Sequence, residues 1–333
     1  MRIAVLGAGR MGQRHAALVA AQPGIDGVVV HDVDAPRAEE LASAVGGRTA
    51  PDASSAIRDA DAVIVAASTT AHAALVGEAV DAGKPVLVEK PLAFDLDESI
   101  ALTRKVEAAR AVVQVGFQRR FDPAYLEARR ALTSGELGTL YLVRLIAHDQ
   151  APPPDAYIPV SGGLFRDSSI HDFDILRWVT GQEVVEVYAA GSVRNFPIFA
   201  RYDDVDTASA ILTLADGTLG SLAQTRHNPR GYDIRMELMG SKDAVAIGVG
   251  PRTPLRSLEP GVAAPGAPGW ESFLDRFEDA YRDEVLTFLR VARGELPSPC
   301  TARDGLEAMR IAIATTTSRL EHRPVRLDEV PGG

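Results

Sequence analysis

The stretch of sequence that decides the fold is RIAVLGAGRMG, residues 2–12. A short apolar strand leads straight into a G-x-G-x-x-G loop. The first glycine of such a loop permits the tight turn, the second lets a pyrophosphate approach the backbone, and the third lets the next helix pack close to the strand. That helix also presents unpaired N–H groups to the phosphates. The residues predicted to bind a dinucleotide here are Gly7, Gly9, Arg10, Met11 and Gly12.

Apolar runs and helical patterns alternate over the first 120 residues. The strand-like runs are Ile3–Leu6, Val28–Val30, Ala62–Ala66, Val86–Val88 and Val112–Val115. The helical patterns between them lie at about 10–20, 35–45, 71–82 and 96–110. Alternation of this kind indicates a doubly wound parallel sheet with helices on both faces. The sequence therefore predicts a dinucleotide-binding Rossmann domain, of the α/β class, over residues 1–120.

The pattern changes to short, closely spaced strands in residues 121–333. We predict them at Leu140–Ile146, Val184–Gly191, Thr207–Leu214, Thr218–Thr225, Ile234–Gly240 and Asp243–Ile247. Asp216 and Gly217 form a strong hairpin signal between two of these strands. Residues 251–269 are rich in Pro and Gly and indicate a loop, and amphipathic helices follow at 273–292 and 302–320. We expect an α+β domain with an open, predominantly antiparallel sheet.

Asp32 follows the second strand and stands 20 residues beyond Gly12. A carboxylate at this point accepts hydrogen bonds from the adenosine ribose and repels a 2′-phosphate, so the sequence favours NAD over NADP. Arg37 complicates this preference, because a nearby arginine can accommodate the phosphate. Asp34 is a competing ribose ligand, and a turn or cap role for Asp32 stays open.

Further candidates follow the later strands of the first domain. We predict that Ser68, Thr69 and His72 lie near the cofactor, that Ser68 or Thr69 caps the next helix, and that His72 has a local role rather than a catalytic one. Glu89 and Lys90 stand at the carboxyl end of another strand, where doubly wound sheets bind their ligands. We expect both residues to contact the cofactor, although a lysine at a strand end is by itself a weak signal.

Composition restricts the class of partner. The chain has 333 residues, enough for two domains, and its net charge of −10 argues against a nucleic-acid surface or an anionic membrane as partner. Cys300 is the only cysteine, which excludes an internal disulfide and a cysteine-rich metal site. The chain begins with a strand and contains no apolar run of transmembrane length. We expect a cytoplasmic protein with a small-molecule ligand.

With these features in place, the chain resembles the glucose–fructose oxidoreductase, inositol dehydrogenase and MocA family. The resemblance starts at Glu89-Lys90-Pro91 and continues through VGFQRRF (115–121), GGLFRD (162–167), SIHDFD (169–174), DVDTA (204–208), DGTLG (216–220) and DGLEAMR (304–310). It covers nearly the whole chain. Around 117–121, 147–150 and 167–174 it resembles the inositol 2-dehydrogenase branch in particular.

The resemblance implies an NAD-dependent dehydrogenase acting on a secondary alcohol of a cyclic polyol or sugar, with myo-inositol as the best guess. It assigns Lys90, Asp167 and His171 to a catalytic triad. Histidine suits general-base work near neutral pH, and a lysine can stabilise negative charge on the reacting oxygen. The residues that it implies for substrate binding are Lys90, Arg119, His148, Gln150, Asp167, His171, Asp174 and Tyr232. A substrate-binding second domain that also forms a homo-oligomer, a dimer or homotetramer, is a further implication.

Other interpretations stay open. If residues 167–174 are helical, Asp167 and His171 share one side and could make an ordinary i,i+4 contact. The side chains of His148, Asp167, His171 and Asp174 suit a metal ion, but they lack a compact ligand signature, and we expect no metal. The same motifs would serve an enzyme that holds NAD tightly through a net non-redox elimination or epimerisation. They would also serve a non-catalytic protein that senses NAD and binds a partner.

Overall fold

The computed structural model describes residues 1–332 of the chain. These residues form two compact units. The first consists of Met1–Gln118, Tyr281–Glu307 and Gly332, and the second consists of Arg119–Ala280 and Ala308–Pro331. Neither unit is one continuous segment, because the chain returns to the first unit after residue 280.

The first unit is built on a parallel sheet. Its strands are β1 Arg2–Leu6, β2 Gly27–His31, β3 Arg48–Thr49, β4 Ala62–Val65, β5 Val86–Glu89 and β6 Val113–Gly116. The helices between them are α1 Arg10–Ala20, α2 Ala35–Ala44, α3 Ala53–Arg58, α4 Thr69–Asp81 and α5 Leu96–Ala109. The strand order is β3-β2-β1-β4-β5-β6, and every pairing is parallel. The order therefore reverses at β1, which is the point where doubly wound sheets bind ligands.

The second unit contains a seven-stranded sheet. Its strands are β7 Leu140–His148, β8 Val184–Ser192, β9 Thr207–Leu214, β10 Leu219–Thr225, β11 Asp233–Gly240, β12 Ala244–Ile247 and β13 Val325–Arg326. The order is β12-β11-β7-β10-β9-β8-β13, and all pairings are antiparallel except that of β7 with β10. The predicted combination of a Rossmann sheet and a predominantly antiparallel sheet is confirmed.

The helices that follow residue 118 along the chain are α6 Pro123–Thr133, α7 Ile170–Thr180, α8 Phe273–Arg276, α9 Glu278–Ala292 and α10 Ala302–Glu321. Short 3-10 turns occupy Gln118–Phe121, Ile158–Val160, Phe199–Tyr202 and Leu327–Glu329, and a π-helical turn occupies Phe165–Ser169. The helix predicted at 273–292 is divided, because Phe277 leaves helical geometry with φ −114° and ψ 26°. No helix within residues 1–332 is long and apolar enough to cross a bilayer.

The core of the first unit draws on a distant part of the chain. Buried aliphatic residues of the strands, among them Val5 and Val30, form one cluster with Val285, Phe288 and Leu289 of α9. All five side chains are at most 2% exposed. Each buried aliphatic side chain of this kind stabilises the fold by about 1.5–3 kcal/mol through removal of apolar surface from water. Residues 281–307 are therefore an integral part of the first unit.

Candidate functional site

The glycine loop joins β1 to α1 by close backbone packing. Gly7 has φ +105°, and a Cβ atom there would lie 2.5 Å from the carbonyl oxygen of Ala66. A Cβ atom on Gly12 would lie 1.9 Å from the carbonyl oxygen of Gly7. Gly9 differs, because a Cβ atom there would meet no heavy atom within 4 Å. The loop is therefore packed at its first and third glycines and open at its second, which is the arrangement that a pyrophosphate needs.

The start of α1 completes this phosphate cradle. The helix begins at Arg10, and Gly9 precedes it in extended geometry without a side-chain cap. The first N–H groups of a helix have no hydrogen-bond partner within the helix. They lie at the positive end of the helix dipole, which attracts anions. Arg10 is exposed, and Met11 is half-buried in the first turn.

Asp32 lies against the same loop. Its carboxylate accepts a hydrogen bond from the N–H of Ala8 at 2.6 Å and another from the N–H of Asp34 at 2.8 Å. Asp34 is engaged elsewhere, since it caps α2 by accepting from the N–H of Arg37 and forms an ion pair with that side chain at 3.1 Å. Of the two acids, Asp32 is the one placed beside the glycine loop. The glycine loop and Asp32 together fit the diphosphate and the unphosphorylated ribose of NAD.

The segment after β4 holds His72 in a structural position. His72 is buried, and its Nδ1 lies 2.8 Å from the carbonyl oxygen of Pro91, its Nε2 3.2 Å from that of Ala67. Burial lowers the pKa of His72, although both backbone carbonyl contacts act in the opposite direction. Ser68 occupies the N-cap position of α4, as predicted, but its side chain makes no cap hydrogen bond. Thr69 is the first helical residue and is half-buried.

Lys90 follows the last residue of β5, Glu89, and is half-buried. The Lys90–Pro91 peptide bond is cis. The contact of His72 with Pro91 ties the segment after Lys90 to α4. On the other side of Lys90, the Glu89 carboxylate lies 2.6 Å from Nε2 of His15 on α1. Buried histidines therefore contact the residues on both sides of Lys90, at the side chain of Glu89 and at the backbone of Pro91.

In the second unit, Asp167 belongs to a chain of charged side chains. Its Oδ2 lies 2.9 Å from Nη2 of Arg226, and its Oδ1 accepts a hydrogen bond from the hydroxyl of Tyr157 at 2.9 Å. Arg226 also pairs with Asp149 at 3.2 Å. Burial opposes the charge on Arg226, but the two carboxylates outweigh it and raise the arginine's pKa. Asp167 is thereby held as an oriented carboxylate.

The segment from Asp167 to His171 is helical but not uniformly α-helical. Asp167 lies in the π-helical turn, and His171 is the second residue of α7 and is half-buried. The regular i,i+4 geometry expected for this pair therefore needs correction, because one turn is wider than an α-turn. Gly163 begins the segment with φ +89°, where a Cβ atom would lie 3.3 Å from Oδ1 of Asp204. The glycine pair before the turn is a close-packed element.

Two predicted substrate residues lie in buried ion pairs. Nη1 of Arg119 donates to Asp172 at 2.5 Å, and both side chains are at most 2% exposed. Arg120 makes a bidentate pair with Asp174 at 2.9 and 2.6 Å. These pairs join residues 119–120 to α7, so the geometry supports a structural role for the charges of Arg119 and Asp174. Substrate contact by either residue stays a prediction.

The remaining substrate candidates lie around the ends of β7 and β11. His148 ends β7, and its Nδ1 is 3.8 Å from the Asp233 carboxylate. Burial lowers the pKa of His148, and Asp233 only partly offsets that effect. Gln150 is exposed beyond the strand. Tyr232 is buried just before β11, and its N–H donates to the carbonyl of Trp270 at 2.7 Å.

Sequence reasoning missed Arg226 and Tyr157. Both act on Asp167, but they stand 59 and 10 residues from it in the chain, as their numbers show. The one available signal was an arginine at the end of a strand in the second domain. Among residues 1–332, the ligand-type side chains close enough to share an ion are His15, Glu89 and Glu284. His148, Asp167, His171 and Asp174 do not form such a group.

Comparison with known proteins follows the same division of the chain. Residues 1–117 match the model of an oxidoreductase family with an NAD-binding Rossmann fold, and residues 125–246 match the GFO/IDH/MocA C-terminal domain. The chain belongs to the GFO/IDH/MocA family. It is 40% identical over 322 residues to the myo-inositol dehydrogenase Hyg17 of Streptomyces leeuwenhoekii. The aligned region covers 96% of this chain and 97% of that protein.

Solved structures of the GFO/IDH/MocA family extend this similarity to the whole fold. A probable dehydrogenase from Thermotoga maritima is 34% identical, with a TM-score of 0.93 over 99% of this chain and 100% of that one. A scyllo-inositol dehydrogenase from Lactobacillus casei, solved with NAD(H) and scyllo-inositol, is 26% identical, with a TM-score of 0.88 over 98% and 99% of the two chains. The protein is thus an oxidoreductase with an NAD-binding Rossmann domain.

Proposed function

We propose that this protein is an inositol dehydrogenase that oxidises one secondary alcohol of a cyclic polyol, with myo-inositol as the substrate and the 2-keto compound as the product. The observation that carries the proposal is the similarity over nearly the full chain to proteins named as inositol dehydrogenases. Solved relatives from Lactobacillus casei hold NAD(H) together with scyllo-inositol or myo-inositol. The glycine loop and Asp32 of this chain add independent support for NAD.

The residues that we propose for NAD binding belong to the first unit. The open position at Gly9 and the N-terminus of α1 would receive the diphosphate, and Asp32 would bind the adenosine ribose. The other proposed contacts are Gly7, Arg10, Met11, Gly12, Ser68, Thr69, His72, Glu89 and Lys90. NAD, when bound, supplies the nicotinamide ring that accepts the hydride from the carbinol carbon.

The proposed catalytic residues are Lys90, Asp167 and His171. His171 would take the hydroxyl proton, since imidazole titrates near neutral pH. Lys90 would donate a hydrogen bond to the same oxygen and stabilise the negative charge that develops there. Asp167 would orient the imidazole or a substrate hydroxyl, and its contacts with Arg226 and Tyr157 support that role because they restrict its carboxylate.

A polyol exposes many hydroxyls, and each one that becomes buried needs a hydrogen-bond partner. We propose His148, Gln150 and Tyr232 for this purpose, with Arg119 and Asp174 as residues that act through buried ion pairs. The lowered pKa of His148 supports the choice, because a neutral imidazole can both donate to and accept from a hydroxyl.

We also propose a division of labour along the chain. Residues 1–120 would bind NAD, and residues 121–333 would bind the polyol and form a homo-oligomer, a dimer or tetramer. The return of residues 281–307 to the first unit refines this division, since α9 completes the core of the NAD-binding unit. The chain has a single cysteine, Cys300, so it forms no internal disulfide, which supports a reducing cytoplasm as the place of action.

The test is a panel of cyclic polyols and sugars, assayed by NADH absorbance with NAD and NADP in parallel. We expect NADH to accumulate in equal amount with the keto product of an inositol, and faster with NAD than with NADP. Product formation without free NADH would instead support the enzyme with tightly held NAD. Inactivity across the panel, with partner binding that depends on NAD, would support the sensing protein.

A further inference from the structure

A buried cluster of His15, Glu89 and Glu284 lies directly before Lys90 in the first unit. One nitrogen or oxygen atom of each side chain falls within 4.8 Å of the other two. His15 lies on α1, Glu89 ends β5, and Glu284 lies on α9. The cluster therefore joins the helix of the glycine loop and the returning helix α9 to the strand end from which Lys90 leaves.

Glu284 is the member of the cluster whose burial needs an explanation. It is 0% exposed, and neither of its carboxyl oxygens has a hydrogen-bond partner among residues 1–332. An ionised carboxylate without donors is among the most unfavourable groups to bury. Burial first, and the nearby Glu89 second, raise the pKa of Glu284 well above its usual range. The raised pKa favours the neutral carboxylic acid, which has one O–H to donate.

Glu89 is the acceptor that this O–H requires. His15 Nε2 and Glu89 Oε1 are 2.6 Å apart, and the side chain of Glu89 is 12% exposed. A carboxylic acid that donates to a carboxylate draws the two oxygens to about 2.5–2.7 Å. Glu89 would then be held by donors from two helices, His15 on α1 and Glu284 on α9.

Other polar groups lie around the cluster, and within residues 1–332 neither carboxyl oxygen of Glu284 accepts a hydrogen bond from them. The amide of Gln114 donates to the backbone carbonyl of Glu284 at 3.2 Å, not to its carboxyl group. Tyr281 packs edge-on against His15, with ring centres 6.4 Å apart, and Arg14 lies over the Tyr281 ring at 5.2 Å.

The short contact between His15 and Glu89 fits a direct hydrogen bond better than two bonds to one metal ion. Histidine and two carboxylates are suitable ligands for a divalent cation. Two atoms bound to one tetrahedral ion, however, stand roughly 3.3 Å apart when each bond is about 2.0–2.1 Å long. The 2.6 Å between Nε2 of His15 and Oε1 of Glu89 is a hydrogen-bonding distance and is shorter than that separation.

We propose that Glu284 is a positioning residue for Lys90: as a carboxylic acid it hydrogen-bonds Glu89, and the chain His15–Glu89–Glu284 fixes the backbone that carries the Lys90 side chain. This inference rests on the proposed function in so far as Lys90 is a catalytic residue. The geometry of the cluster itself does not depend on the substrate.

Three variants of α9 test the inference. Glu284→Gln keeps a donor of similar shape, and Glu284→Leu removes it while filling the space. Val285→Ala is the matched control, because Val285 is 0% exposed on the same helix and contributes only apolar packing. We expect E284L to lower kcat for inositol oxidation at least tenfold, with the dissociation constant of NADH within about threefold of wild type. We expect E284Q to restore kcat to within about threefold, and V285A to lower Tm without this loss of kcat.

Two results would overturn the inference. One is an E284L variant that loses Tm as V285A does but keeps the wild-type kcat, since Glu284 would then be structural only. The other is a wild-type protein that contains a stoichiometric divalent metal ion which E284Q lacks, since the cluster would then be a metal site.

A readout without substrate separates this inference from the proposed function. The infrared difference spectrum of wild type against E284Q should contain the carbonyl band of a buried protonated carboxyl group. If no polyol is oxidised but this band is present, the proposed substrate fails and the protonated Glu284 stands. If inositol is oxidised and the band is absent, the positioning mechanism fails and the proposed function stands.

Discussion

Lys90 is the single residue on which the proposed chemistry depends most. A lysine that stabilises the reacting oxygen contributes mainly in the transition state, so its removal should lower kcat more than cofactor affinity. We expect Lys90→Met to reduce kcat with inositol roughly 10²–10³-fold, as the loss of one electrostatic donor does elsewhere. The measurement is steady-state kinetics at saturating NAD, with NADH binding followed by fluorescence.

Lys105→Met is the matched control for this variant. Lys105 forms an exposed pair with Asp81 on the surface of the same unit, with 39% and 68% of the side chains exposed. Exposed pairs contribute about 0–1 kcal/mol, so we expect K105M to leave both kcat and stability nearly unchanged. A K90M variant with more than a tenth of the wild-type kcat would remove Lys90 from the catalytic set.

Glu284 predicts a pH dependence of stability with a definite sign. Its pKa is raised in the folded state, whereas the unfolded value is about 4.3. Above about pH 4.3 the folded state binds more protons at this group than the unfolded state does, so stability falls as pH rises toward the folded pKa. E284Q has no such group. The free energy of unfolding of E284Q relative to wild type should therefore increase between about pH 5 and about pH 8.

Urea unfolding of both proteins across that range measures the effect. His15 and Glu89 are present in both proteins, and the comparison of the two removes most of the contribution of the other acidic groups. A difference that does not change with pH would mean that Glu284 titrates normally, against the raised pKa.

Among the elements, the glycine loop allows the effect of a substitution on NADH binding to be distinguished from its effect on stability. Gly9→Ala places a methyl group in open space at φ −71°, so stability should stay equal or rise by about 0.4–1 kcal/mol. The same methyl group should obstruct the diphosphate and weaken NADH binding at least tenfold. Gly12→Ala meets the Gly7 carbonyl at 1.9 Å and should lower Tm as well as affinity. Thermal melts measure the stability of both variants, and NADH titration measures their affinity for the cofactor. Equal NADH affinity of G9A and wild type would mean that the diphosphate binds elsewhere.

Elements with strong local signals were predictable from the sequence. β1, β9 and β10 follow their apolar runs closely, and Asp216-Gly217 does turn between β9 and β10, with Gly217 at φ +89°. Weaker elements were missed for identifiable reasons. β3 is two exposed residues with no apolar pattern, and the π-helical turn before α7 leaves no distinct periodicity.

Some residues of the candidate site were likewise predictable from the sequence, and others were not. Asp32 was predictable because its spacing from the loop is set by one strand–helix–strand unit, and the structure places it against the Ala8 N–H. The Arg226–Asp167 pair was not predictable, because burial selects partners that are distant in the chain. Arg119 and Asp174 show the reverse case, since their residue types suggested substrate contacts while their charges are engaged in buried pairs.

At the scale of the whole molecule, the open sheet predicts self-association. Tyr188, Ile211 and Leu219, on the adjacent strands β8, β9 and β10, are 42%, 55% and 46% exposed. Contiguous exposed apolar residues of this kind mark interaction surfaces. We expect light scattering to give the mass of a dimer or tetramer for the wild type, and a smaller mass for Ile211→Asp.

Val249→Asp is the control for that variant, because Val249 is 61% exposed but lies beyond β12 and outside the strands. We expect V249D to keep the wild-type mass. A monomeric wild type, or equal masses of I211D and wild type, would exclude this sheet face as the interface.

We expect this chain to transfer hydride from carbon 2 of myo-inositol to NAD. The most direct measurement uses myo-inositol deuterated at carbon 2 and mass spectrometry of the NADH that is formed. We expect each NADH to carry one deuterium and the amount of the 2-keto product to equal the amount of NADH. Unlabelled NADH, or product without NADH, would contradict it.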